Sequence, residues 1–103
     1  MKRLVKNLTK DVLWIYILRL LQERPHYGYE IKRLIIERFG FEPATVSGYA
    51  IIYRLIKDEL IEEQKDSEKP RKYYAITERG KHAMENAKMF LSKTLNLVFD
   101  LTD

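Results

Sequence analysis

The sequence predicts a mainly α chain with one small β-hairpin, and three observations carry that expectation. Apolar residues recur at helical spacing in four stretches of the 103-residue chain. Two short strand-like runs, Leu60 to Lys65 and Arg71 to Ile76, flank a segment of Asp66, Ser67, Glu68, Lys69 and Pro70, which is hairpin chemistry. Pro25, Gly40 and Pro43 punctuate the rest at the points where helices must stop. The resulting order is helix, helix, helix, hairpin, long helix. It is the outline of a winged helix-turn-helix, in which the third helix enters the DNA major groove and the hairpin tip meets the backbone. Residues 1–76 are expected to form that unit with a basic N-terminal segment, and residues 77–103 a C-terminal dimerisation helix belonging to the same globular unit.

Each element has a local reason. From Val12 to Leu21 every residue except Arg19 is apolar or aromatic, so the first helix lacks a polar face and should be buried nearly all round. Thr9 is its expected N-cap and Asp11 lies in its first turn, with residues 2 to 8 extending it or forming an arm; Pro25 ends it within Gln22 to Arg24. His26 to Phe39 reads as the second helix, with Ile31, Leu34 and Ile35 inward, Lys32, Arg33 and Glu37 outward, and Gly40 as its stop. After a turn over 41–46, Ser47 is expected to cap a third helix running to about Glu59. Thr77 opens the last helix, which reaches Phe99.

Composition excludes several classes of function. With 46% hydrophobic and 33% charged residues the chain is globular, and its length allows one modest core. There is no cysteine, which removes disulfides, thiolate metal sites and cysteine nucleophiles and suits a reducing, cytoplasmic setting. The net charge of +4 is local: Lys2, Arg3, Lys6 and Lys10 precede the first acid, and the remainder carries 15 bases against 15 acids. This basic opening and the apolar run after it superficially resemble a secretory signal, but Arg19 interrupts the run. No stretch approaches the roughly 20 apolar residues that span a bilayer. The two histidines, His26 and His82, stand far apart in no metal or triad pattern, and no Gly-rich phosphate loop exists, so neither an enzyme nor a bound metal or cofactor is expected.

The third helix carries the most informative chemistry. At 100° per residue, Gly48, Ile51, Ile52 and Leu55 share one arc of about 100°, which faces the core. Tyr49, Tyr53 and Lys57 form the opposite stripe with Arg54 beside them. Phenols can bond base edges or phosphates while their rings meet thymine methyls, and the two cations suit phosphate or guanine. An ordinary amphipathic helix with two tyrosines half-buried against the hairpin reads the same residues without DNA. In the hairpin, four bases and four acids cancel from 62 to 72.

Four blocks together resemble the PadR-type winged-helix transcriptional regulators, named for a repressor of phenolic acid decarboxylase genes. They are ILRLLQERPHYGYEI at 17–31, SGYAIIYRLIKDELI at 47–61, PRKYYAIT at 70–77 and the E-R-G at 78–80. Tyr27 is inserted relative to the family's H-G-Y core, Gly48 stands where a β-branched or larger apolar residue is usual, and Glu59 where a glycine commonly ends the recognition helix. The resemblance implies a transcriptional regulator, a repressor on an inverted-repeat operator, with Ser47, Tyr49, Tyr53, Arg54 and Lys57 of the recognition helix and Lys69, Arg71 and Lys72 of the wing on double-stranded DNA. Of Tyr73 and Tyr74, one should cover the core and one face outward. Tyr29 and Trp14 are assigned to packing. The rival is a winged helix used for protein contact, which salt separates, because phosphate binding weakens steeply with ionic strength.

The closing helix points to a homodimer. Met84, Ala87, Leu91, Thr94, Val98 and Leu101 recur at intervals of 3, 4, 3, 4 and 3, with Phe90 and Leu95 widening the seam, and a helix of about 34 Å must outrun its own domain. Trp14 and Tyr16 of the first helix add to the expected interface, where Trp14 and its neighbours either simply fill the contact or leave room for a small aromatic effector between that helix and the dimer face.

Overall fold

The computed structural model describes residues 1–65, 68 and 71–101, and among the side chains of its helices those of 45–47 lie outside the description. Among the described residues five helices and three short strands follow one another: α1 (Lys2–Leu8), α2 (Leu13–Glu23), β1 (His26–Tyr27), α3 (Gly28–Phe39), α4 (Thr45–Lys57), β2 (Ile61–Lys65), β3 (Lys72–Ile76) and α5 (Glu78–Phe99). The fold is mainly α and winged, with β3 at the centre of an antiparallel sheet ordered β1-β3-β2.

Helix α2 is the axle of the core. Leu13, Ile17, Leu18, Leu20 and Leu21 are buried, and Ile31 and Ile35 of α3, Ile52 and Leu55 of α4, and Ile61 and Tyr74 of the sheet close around them. Trp14 and Tyr16 are only half-buried, so α2 is not enclosed on all sides. It also starts later than expected. Thr9 does not cap it: the Thr9 hydroxyl donates to the Val5 carbonyl at 2.7 Å and its amide to Lys6, so Thr9 ends the separate helix α1, and Val12 precedes α2. At the other end Arg24 is extended, as a residue before proline must be.

The strand β1 was hidden within the segment read as the start of the second helix. His26 pairs with Tyr74 and Tyr27 with Tyr73, which ties the turn between α2 and α3 to the wing. Helix α3 ends at Gly40, whose φ of 76° lets its amide bond back to the Ile36 carbonyl at 3.2 Å. Helix α4 begins two residues before Ser47, because its first hydrogen bond closes from the Gly48 amide onto the Ala44 carbonyl at 2.8 Å. Ser47 therefore lies in the first turn and is not the cap. The helix stops at Lys57, short of the expected Glu59.

The corner after α4 fixes both the wing and α5. Glu59 adopts a left-handed φ of 61°, the conformation that a glycine takes without cost. Thr77 then acts three times: its hydroxyl donates to the Glu59 carbonyl at 2.7 Å and accepts from the Gly80 amide at 3.1 Å, and its amide donates to Leu60 at 3.1 Å. Gly80 lies so close to this corner that an added Cβ would fall 2.2 Å from the Leu60 carbonyl oxygen. Beyond the corner α5 leaves the domain, and the longest dimension of the molecule is 51 Å.

Candidate nucleic-acid interface

Two faces of α4 have separated as an amphipathic helix requires: Ile52 and Leu55 are buried, while Tyr49 and Tyr53 are 59% and 71% exposed. The tyrosines therefore do not lie half-buried against the hairpin. Arg54 and Lys57 are exposed beside them, and the Arg54 Nε sits 3.8 Å from Asp58 one turn on, a contact loose enough to exchange. The Tyr49 ring rests near Gly28, at the start of α3, at ordinary van der Waals distance from where a Cβ would stand.

Tyr29 corrects the sequence reading. It is 71% exposed rather than packed, and with Tyr49 it flanks the approach of α3 to α4. Tyr73 and Tyr74 divide as alternation demands: Tyr74 is buried, where burial pushes its phenol up from the ordinary value, and Tyr73 is half-exposed. On the wing, the Arg71 guanidinium lies over the Tyr27 ring at 4.6 Å, and Tyr27 meets Tyr73 edge-on at 5.7 Å. Lys72 is exposed with its ammonium 4.0 Å from Glu63 across the hairpin. Lys69 and the Ser47 side chain lie outside the described residues.

Below the wing is a polar cluster that sequence reasoning missed. His26, 1% exposed, places Nδ1 2.8 Å from Glu30 Oε1, and Arg24 grips both Glu30 oxygens at 3.3 and 3.0 Å. Burial would raise the Glu30 carboxyl, but the hydrogen bonds from Arg24 and His26 overcome it and hold the group below the usual carboxylate range. An ionised carboxylate only accepts, so His26 Nδ1 donates to it, and the buried Nε2 has no hydrogen-bond partner among the described residues. The only signal in the sequence was a histidine and a glutamate four residues apart, although His26 lies in β1 and not on the helix that carries Glu30.

The eight residues expected at the dimer face fall into two groups. Trp14, Tyr16 and Met84 pack against their own core, with the Tyr16 hydroxyl donating to the Leu8 carbonyl and its ring edge-on to Phe39 and Phe41; Ala87 is half-buried. Phe90, Leu91, Leu95 and Val98 are exposed. An apolar cavity of about 450 Å³ is lined by Leu13 and Ile17 but not by Trp14, so it lies away from the place expected for an effector. No group of three acidic or histidine side chains among the described residues could hold a metal, and no helix among them is long and apolar enough to cross a membrane.

A three-helix core, an exposed aromatic and cationic stripe on the third core helix and a sheet-tethered wing define a winged-helix transcriptional regulator. The family model of the PadR-like transcriptional regulators matches residues 17–86, and the chain belongs to that family. A padr family transcriptional regulator from Eggerthella lenta superposes with a TM-score of 0.77 at 26% identity, covering 97% of this chain and 86% of that one. PadR from Bacillus subtilis, solved in complex with operator DNA, gives 0.64 at 24% identity over 73% of this chain and 45% of that one. An uncharacterized protein from Lysinibacillus sphaericus is 45% identical over 73 residues, and that stretch is 63% of this chain and 64% of that protein.

Proposed function

We propose that this protein is a sequence-specific DNA-binding repressor that acts as a homodimer on an inverted repeat. The outward stripe of α4 carries the reading: Tyr49, Tyr53, Arg54 and Lys57 stand exposed on one face of the helix that the winged fold inserts in the major groove. Arg71 and Lys72 flank it on the wing and take phosphates, with Lys69 assigned to the same role. Membership of a regulator family supports the reading, and the B. subtilis protein provides the same fold on operator DNA. The homodimer is supported by the outer half of α5 and by α1, where Phe90, Leu95, Val98, Leu4 and Leu8 are exposed apolar residues. Two-fold pairing of such chains sets two recognition helices about one DNA turn or a multiple of it apart, roughly 34 Å, hence the inverted repeat.

Selection of bound sequences from a random duplex pool, followed by affinity measured against salt, tests this. The expected outcome is enrichment of an inverted repeat and a steep linear fall of log affinity with log salt. Tyr53→Ala should cost about 1–3 kcal/mol on the selected site and far less on random DNA. Binding that ignores salt, or no enriched sequence, overturns the reading and leaves a winged helix that contacts protein.

A further inference from the structure

A cavity of about 450 Å³ opens beneath the N-terminal end of α4, between it, α3 and the start of α2. Its walls are aliphatic, with Leu13, Ile17, Ile31, Ile35 and Ile52 among them, and this size and character fit a small-molecule site. Two cations belong to its lining, each with an acid beside it. Lys32 and Arg33 line it, whereas the acids that neighbour them, Glu42 at 3.8 Å and Glu37 at 3.1 Å, do not. Tyr29 and Tyr49, both exposed, line it as well. Gly48 keeps the space open: it lines the cavity, and a Cβ built on it meets nothing within 4 Å.

We infer that this cavity binds a small apolar molecule carrying one carboxylate, its aliphatic body against the Leu and Ile walls and its charge among Lys32, Arg33 and the two tyrosine hydroxyls. The apolar walls favour burial of a hydrocarbon tail, and a carboxylate is the charge that cations and phenolic donors together accept. An uncharged molecule of the same shape would forgo the second half of this recognition. A cation would meet Lys32 and Arg33. The inference concerns the free protein and does not depend on DNA binding.

Titration of the full-length protein with octanoate, followed by backbone amide NMR shifts and calorimetry without DNA, tests it. Saturable shifts centred on residues 28–36 and 48–52 are expected, with octanol binding at least fivefold more weakly. Gly48→Leu should fill the cavity and abolish octanoate binding while raising the melting temperature, because a helical glycine is replaced by a better helix former in open space. Arg33→Gln should bring octanoate affinity down towards that of octanol. The inference is overturned if Gly48→Leu, shown to be folded by its spectrum, binds octanoate as before. Shifts that map instead to the exposed apolar residues of α5, or equal affinity for octanoate and octanol, also overturn it.

Discussion

The two ends of α5 obey different rules. At its start, Gly80 sits against the Leu60 carbonyl, Thr77 bonds to three backbone groups of the corner and the helix itself, and Met84 packs on the core. At its far end, Phe90, Leu91, Leu95 and Val98 are apolar yet exposed. One helix thus passes from residues held by contacts with the domain to residues whose apolar side chains stand largely in the open. The near end is a matter of fold; the far end is where the proposed homodimer would be made.

Breaking the near end should have the largest effect. Gly80→Ala forces a methyl onto a backbone carbonyl that cannot rotate away, and should cost about 3 kcal/mol, seen as a fall in Tm of about 10 °C or more. Breaking the far end should act on assembly instead. Leu91→Glu with Leu95→Glu should weaken the dimer at least about tenfold, which is about 1.4 kcal/mol, in sedimentation at micromolar concentration, and leave the helical spectrum intact. Truncation after Lys81 should likewise give a monomer; a shortened protein that stays dimeric and binds its site as before would remove α5 from the interface.

A smaller loss tests the other internal contact that fixes the wing. Glu30→Gln leaves Arg24 and His26 without their carboxylate and should cost about 1–2 kcal/mol near neutral pH. Because the folded-state carboxyl lies below its unfolded value, the contribution is present above the unfolded pKa, near 4.3, and is lost as pH falls through the folded one. Denaturation midpoints of the two proteins should therefore converge as pH falls through the lowered folded-state value. The smallest effect sharpens the near end: Glu59→Gly relieves a left-handed φ and should stabilise by about 0.5–1 kcal/mol, because the Arg79 contact it removes is long, 3.9 Å, and exposed.

What the sequence made legible follows from which signals are local. Helical periodicity, Pro25 and Gly40 located three core helices, and the stripe of Tyr49, Tyr53 and Lys57 followed from 100° per residue. The strand β1 was not legible, since two residues have no period and His26 and Tyr27 become a strand only through Tyr74 and Tyr73, more than forty residues on. The boundary between α1 and α2 depended on whether Thr9 bonds forward or back, and it bonds back to Val5. Tyr29 was misread because its neighbours Ile31 and Ile35 are core, yet it stands on the other side of the same turn. Ser47 looked like a cap by residue type, while the helix took its start from the Ala44 carbonyl, three residues earlier.

The welded corner at Thr77 and Gly80 also makes α5 a lever. With 22 residues the helix is about 33 Å long, so a rotation of about 5° at the corner carries its far end through about 3 Å. That corner is shared by the end of α4 and the root of the wing, through Glu59 and Leu60. In two chains joined at their far ends, the same small rotation appears as a change in the gap between their two α4 helices, with neither helix altered internally. In the proposed homodimer the spacing along DNA would then follow an angle set at Thr77 and Gly80.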